Sequence, residues 1–191
     1  MRIYLESYDR GIFQGKIPNE GPGKNAQRKA ILQENDYQHE AGWQLVQFAL
    51  SESVGLKLWE NEALLTFGET GKPYLSTRPD IHFNLSHTAG LVACVVGSRP
   101  VGIDAEKIRP FPRAVLRKLT EKERIYIQSS ERQDEDFMRV WTMKEACIKM
   151  TGEGLAAFER TECIPGQSLP GIRYRQFIWQ GRYVVTAVEK K

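Results

Sequence analysis

The residues of this sequence best equipped for chemistry fall in two stretches, Val101-Gly102-Ile103-Asp104-Ala105-Glu106 and Trp141-Thr142-Met143-Lys144-Glu145-Ala146-Cys147-Ile148-Lys149. Read as a strand, the first alternates: Val101, Ile103 and Ala105 point one way, and Gly102, Asp104 and Glu106 the other. Two carboxylates on one face repel unless a cation answers them, and a hard divalent ion such as Mg²⁺ suits oxygen ligands of this kind. Gly102, with no side chain, is expected to leave the backbone open to a bulky ligand. The plainer reading of the same six residues is an amphipathic strand with a wet, acidic outer face.

Read as a helix, the second stretch puts Trp141, Glu145, Ile148 and Lys149 on one face. Glu145 and Lys149 then form either a solvated i,i+4 pair, contributing roughly 0.2–0.5 kcal/mol, or part of a site. The tryptophan favours the site, because that face turns inward and a buried carboxylate needs a cation or hydrogen-bond donors. If Glu145 meets Asp104 and Glu106, the three make an oxygen-rich site for Mg²⁺, completed by water and phosphate oxygens. Lys149 would then hold a phosphate. Lys144 points about a hundred degrees round the helix, which gives it no direct place there.

The elements that must position these residues are legible in outline. A strand is expected over residues 2–8, a loose loop from Gly11 to Gly23, and helices over 25–34 and 36–54, the second capped by Asp36. Ala41, Leu45, Phe48 and Ala49 recur at helical spacing, with Trp43, Val46 and Leu50 widening the stripe, and Gly55 ends it. Leu64 to Phe67 reads as a brief strand and Gly68 to Pro73 as a turn-rich loop. Ile81 to His87 alternates, with Ile81, Phe83 and Leu85 inward. Leu91 to Val96 is a continuous apolar run that suits a buried strand, and Gly97-Ser98-Arg99-Pro100 is a tight connection, so a hairpin is expected whose second arm carries Asp104 and Glu106. Pro110 and Pro112 mark a boundary between halves 1–108 and 109–191. A short helix follows at 113–118, then a capping box at Thr120-Glu121-Lys122-Glu123. The helix bearing Glu145 opens at Asp134 and stops at Gly152, and the chain ends in a hairpin of 172–178 and 182–188.

Bulk properties narrow the class. The chain has 191 residues, 41% hydrophobic and 27% charged, ordinary for a globular protein of one domain or two closely packed halves. A net charge of +3 is too small to argue for nucleic acid. Cys94, Cys147 and Cys163 lack CxxC spacing, so neither a disulfide framework nor a zinc site is expected. No apolar run approaches the length of about 20 residues that spans a bilayer, and the amino terminus lacks a signal peptide's apolar core. The expected location is the cytoplasm.

Gly71-Lys72-Pro73, Phe83-Asn84-Leu85-Ser86-His87, Val101 to Glu106 and Trp141 to Leu155 occur in an order that resembles the surfactin-synthetase-activating (Sfp-like) type of 4'-phosphopantetheinyl transferase. The resemblance covers under half of the chain. It implies an α+β fold, a pseudo-twofold pair of similar halves in one chain, most simply a monomer. It also implies a transferase of the holo-[acyl-carrier-protein] synthase type, which moves the phosphopantetheine arm of coenzyme A to a carrier-protein serine and releases adenosine 3',5'-bisphosphate. Asp104, Glu106 and Glu145 match the family's Mg²⁺-binding acids. Asp104, Glu145 and Lys149 match its catalytic residues, with Glu145 also the proposed base and Lys149 the pyrophosphate grip. Lys72, Ser86 and His87 match coenzyme A contacts, as do Asp104 and Lys149, and His87 would reach the nucleotide's 3'-phosphate. Lys24 and Arg28, with Lys29, stand where relatives carry a basic cluster. Glu40, after His39, stands where relatives have an arginine.

Carrier proteins are acidic. Lys107, Arg109, Arg113, Arg117 and Lys118 form a basic run with no acid until Glu121. It reads either as a solvated face or as a docking surface that steers an acidic partner to the site.

Overall fold

A computed structural model describes residues 1–8, 24–56, 65–154 and 157–191, with side chains of the first helix from Gln38 onward. The expected loop at Gly11–Gly23 and the side chains of Lys24, Arg28 and Lys29 lie outside the described residues. Twelve segments follow in order: strand β1 (Arg2–Ser7), helix α1 (Lys24–Val54), strands β2 (Leu65–Phe67), β3 (Pro73–Leu75), β4 (His82–Thr88), β5 (Leu91–Gly97) and β6 (Val101–Lys107), a 3₁₀ helix (Arg113–Lys118), helices α2 (Glu121–Gln128) and α3 (Gln133–Thr151), and strands β7 (Ile172–Trp179) and β8 (Tyr183–Lys190).

The fold is mixed α/β. The strands form two antiparallel three-stranded sheets, ordered β1-β5-β4 and β6-β8-β7, and a two-stranded β2-β3 ladder. Strand β5 is buried on both faces, which accounts for its continuous apolar run. On one face Val92, Cys94 and Val96 pack with Leu45, Val46, Ala49 and Leu50 of α1. On the other, Leu91, Ala93 and Val95 meet Val101, Ile103 and Ala105 of β6 and Val185 and Ala187 of β8. The second sheet is covered in turn by α3, through Met143, Ala146, Cys147 and Met150 against Val188. The sheets therefore stack between two long helices.

Three sequence expectations give way. The expected hairpin of β5 with β6 does not form. Strand β5 turns back on β4 instead, through Ala89-Gly90, with Gly90 at φ 88°; β6 crosses into the second sheet and pairs with β8. The two expected helices before residue 54 are one, α1, because no Gly or Pro interrupts the junction at Asp36. Pro73, placed in a loop, starts β3, where an edge position tolerates its missing donor. The capping box at Thr120 and Glu123 forms in both directions, and Gly152 ends α3 at φ 77°.

Glu123 does more than cap. Its carboxylate and the Lys144 ammonium are both fully buried, paired at 2.8 and 3.0 Å. Lys144 also donates to the Thr161 carbonyl, and Glu123 accepts from Cys163 N at 2.7 Å. Lys144 thus ties α3 to α2 and to the segment before β7. We predict that Lys144→Met alone costs about 3–5 kcal/mol in urea denaturation, because it strands a buried charge. Adding Glu123→Leu should recover part of that loss; a double variant no more stable than the single one would contradict this account.

Candidate active site

Strand β6 and helix α3 approach each other more closely than any side chain allows. A Cβ built on Gly102 would lie 2.0 Å from the Ala146 carbonyl oxygen and 2.6 Å from Met150 N. The space that the sequence assigned to a ligand is filled by helix backbone. Gly102 is there so that α3 can lie directly on the strand.

Asp104, two residues on, faces the same helix and is buried. Lys149 Nζ donates to its Oδ1 at 2.6 Å, with the aspartate side chain 6% exposed and the lysine 30%. Of the two readings of Glu145 and Lys149, the solvated i,i+4 pair does not form; Lys149 pairs with Asp104 instead. Lys149 Nζ also reaches Ser86 Oγ at 3.1 Å. Ser86 Oγ donates to Asp104 Oδ1 at 2.9 Å and accepts from Ala105 N at 3.3 Å. With one proton and two lone pairs all engaged, the Ser86 hydroxyl is fully used inside the protein. Two residues back, Asn84 Oδ1 accepts from Ile103 N at 3.0 Å. Side chains of β4 therefore satisfy the β6 N–H groups that face away from β8, and the two sheets join at the site.

Charge gathers around Asp104. Burial, then the Asp104 charge, raises the Glu145 carboxyl above the usual range, against the pull of Lys149. Glu106 is raised by the same two causes in the same order, while Arg109 and Lys149 oppose; Thr88 Oγ1 donates to Glu106 Oε2 at 3.4 Å. Asp104 is thus the common neighbour of both glutamates. Its second oxygen, Oδ2, is buried without a hydrogen-bond partner. Among the described residues, however, no three His, Cys, Asp or Glu side chains are gathered into a ready-made metal cluster. The expected cage of three acids is a loose arc centred on Asp104.

The other predicted residues surround this arc. His87 lies at the surface with its ring partly desolvated, which lowers its imidazole pKa, as do Lys149 and His39, with Asp104 opposing. His39, which the sequence reading named only as a neighbour of Glu40, is therefore close to the site; Trp43 Nε1 donates to its Nε2 at 3.2 Å. Glu40 is exposed and accepts from Gln44 at 3.4 Å. Lys72 is half-buried, its pKa lowered by burial, and its Nζ donates to the Met150 carbonyl at 2.7 Å. That bond clamps the Gly71-Lys72-Pro73 turn onto the last turn of α3. Between them lies a cavity of about 250 Å³, lined by Thr70, Lys72, Asn84, Ile148, Lys149 and Gly152.

A family model, the 4'-phosphopantetheinyl transferase superfamily, matches residues 100–188, the part that carries both acidic elements. A 4'-phosphopantetheinyl transferase of Bacillus subtilis is 31% identical over 166 residues, covering 82% of this chain and 72% of the relative. The chain belongs to the 4'-phosphopantetheinyl transferase superfamily. The Sfp transferase of Bacillus subtilis strain 168 is 37% identical over 91 residues, 46% of this chain and 41% of Sfp. The psf-1 transferase of Bacillus pumilus is 42% identical over 89 residues, 45% of this chain and 38% of the relative. This transferase is thus of the Sfp-like type. No helix among its described residues is long and apolar enough to cross a membrane.

Two predictions follow from the geometry. Gly102→Ala forces β6 and α3 apart and should cost about 1–3 kcal/mol or more in urea denaturation; a loss under about 0.5 kcal/mol would mean that α3 yields freely. The second concerns pH. Because Glu106 and Glu145 bind protons more tightly folded than unfolded, the stability they confer is full below the ordinary glutamate range and lost as pH rises through their raised values. Glu145→Gln, in chelator, should therefore raise the melting midpoint at neutral pH by a few degrees, and the gain should vanish near the ordinary glutamate pKa of about 4.3. An unchanged midpoint at neutral pH would refute the assignment.

Proposed function

We propose that this chain transfers the phosphopantetheine arm of coenzyme A to a serine of an apo acyl or peptidyl carrier protein, with Mg²⁺, releasing adenosine 3',5'-bisphosphate. The observation that carries the reading is Asp104: buried, bonded to Lys149 at 2.6 Å, beside Glu145, and with one oxygen left without a partner. The oxygen donor set fits a hard cation. Mg²⁺ is commonly held by one or two carboxylates plus substrate phosphates and water, so a preassembled cage is not required. Asp104, Glu106 and Glu145 would hold it, and when bound it neutralises charge on the pyrophosphate.

The serine oxygen attacks the phosphorus that bears pantetheine, the bond to the bisphosphate breaks, and the serine proton leaves to a base. Glu145, on the helix face that meets Asp104, is the candidate base for that proton, directly or through a water. Lys149 is 30% exposed and can offer the remainder of its ammonium to a phosphate. Lys72 and His87 border the approach and are the candidate contacts to the nucleotide phosphates, while Lys24 and Arg28 remain a candidate basic cluster. Ser86 acts by holding Asp104 and Lys149 in register. The shared strand order of the two sheets, in which the first strand pairs with the last, supports the pseudo-twofold reading and with it two halves meeting near residue 108. The narrower holo-[acyl-carrier-protein] synthase class, a monomeric state and a cytoplasmic location belong to the same proposal.

The basic run after β6 supports docking of an acidic carrier, with Arg113 and Arg117 exposed on the 3₁₀ helix that follows the Glu106 arm. Intact-protein mass spectrometry of an apo carrier protein incubated with the chain, coenzyme A and Mg²⁺ is the test. A mass gain of one phosphopantetheine is expected, lost in Asp104→Ala. No gain across several acyl and peptidyl carriers would overturn the reading.

A further inference from the structure

A second cleft, of about 690 Å³, opens where the turn from β5 to β6 meets strands β7 and β8. Its lining follows from strand alternation. Along β7, Ile172 and Tyr174 pack toward α3, whereas Phe177 and Trp179 turn to the opposite face and join the core between the sheets. Arg173 and Arg175 share the face of Phe177 and Trp179 and line the cleft. There the strand changes from aromatic to cationic. Arg99, on the β5–β6 turn, faces the same cleft.

The charges in this cleft do not cancel. Among its side chains Glu189 is the sole carboxylate, against Arg99, Arg173, Arg175 and Lys191. Glu189 is itself committed: Oε1 pairs with the Met1 amino group at 3.3 Å and Oε2 with Arg173 at 2.9 Å. Arg99 and Arg175 have neither an ion pair nor a side-chain hydrogen bond among the described residues. Arg99 and Arg175 bring positive charge into a concavity whose one side-chain carboxylate is already paired, so the cleft favours an anion. Tyr174 adds polarity: its hydroxyl accepts from Gly166 N at 3.0 Å and keeps its own proton to donate. Two planar, multi-donor cations match a tetrahedral, multiply charged group better than a single carboxylate.

We propose that this cleft binds a phosphate-bearing small molecule, with Arg99 and Arg175 as its principal grip. None of its lining residues belongs to the Asp104–Lys149 network, so the inference stands or falls independently of the catalytic reading. The test is a titration of inorganic phosphate into the ¹⁵N-labelled full chain, followed by backbone amide shifts. Shifts at Ser98, Arg99 and Arg173 to Arg175 should saturate, with a dissociation constant on the order of millimolar or tighter. In the Arg99→Ser, Arg175→Ser double variant, whose exposed substitutions leave the core intact, affinity read at the remaining cleft amides should fall at least about tenfold, while shifts at His87 and Lys149 follow the parent chain. Linear, non-saturating drift at the cleft amides would overturn the proposal, as would saturation that is unchanged in the double variant.

Discussion

The contact between strand β6 and helix α3 at Gly102 is the constraint on which the site depends. A helix normally stands off a sheet by the height of its side chains, and at that distance Lys149 would reach bulk water before it reached Asp104. With only hydrogen at position 102, the helix backbone settles onto the strand, and a Cβ there would sit 2.0 Å from the Ala146 carbonyl. The approach brings Lys149 Nζ within 2.6 Å of Asp104 and sets Glu145 beside it. It also removes water from Asp104 and part of it from Glu145, which strengthens the charge interactions among them. A small residue thus has an electrostatic consequence at Asp104, two positions along the strand, and at Glu145 and Lys149 on the helix laid against it.

Hydrogen-bond accounting explains why the site lies at the junction of two sheets. Strand β6 pairs with β8 along one edge, so N–H groups along the other edge need acceptors. Asn84 and Ser86 of β4 supply them to Ile103 and Ala105. The same Ser86 hydroxyl then donates to Asp104, so the seam that closes the sheets also orients the central carboxylate. Family membership adds a reason for this economy: both acidic elements lie inside the matched region, residues 100–188.

Two lysines five residues apart on one helix show how burial divides similar chemistry into different tasks. Lys144 is fully enclosed, with Glu123 and the Thr161 carbonyl as fixed partners, so its charge is spent on joining elements. Lys149 keeps 30% of its side chain exposed, so it can hold Asp104 and still meet a ligand. Lys72 lies between these cases, half-buried and clamped to the Met150 carbonyl at the rim of the cavity.

Local pattern alone determined much of this. Alternation put Gly102, Asp104 and Glu106 on one strand face, and the 3.6-residue period put Glu145 and Lys149 on one helix face, because both depend only on near-neighbour backbone geometry. The capping box at Thr120 and the Gly152 stop were legible for the same reason. Strand partners were not: whether β6 pairs with β5 or β8 depends on residues 76 to 88 positions away, whereas the turn signal at Gly97 to Pro100 is local and pointed to β5. The meaning of Gly102 was likewise invisible, since a missing side chain signals close approach without saying whether a ligand or a helix approaches. Only the packed structure decided that Ser86 is internally saturated, that Lys144 belongs to Glu123, and that Lys149 answers Asp104 rather than Glu145, because each depends on which surfaces the tertiary fold presses together and dries.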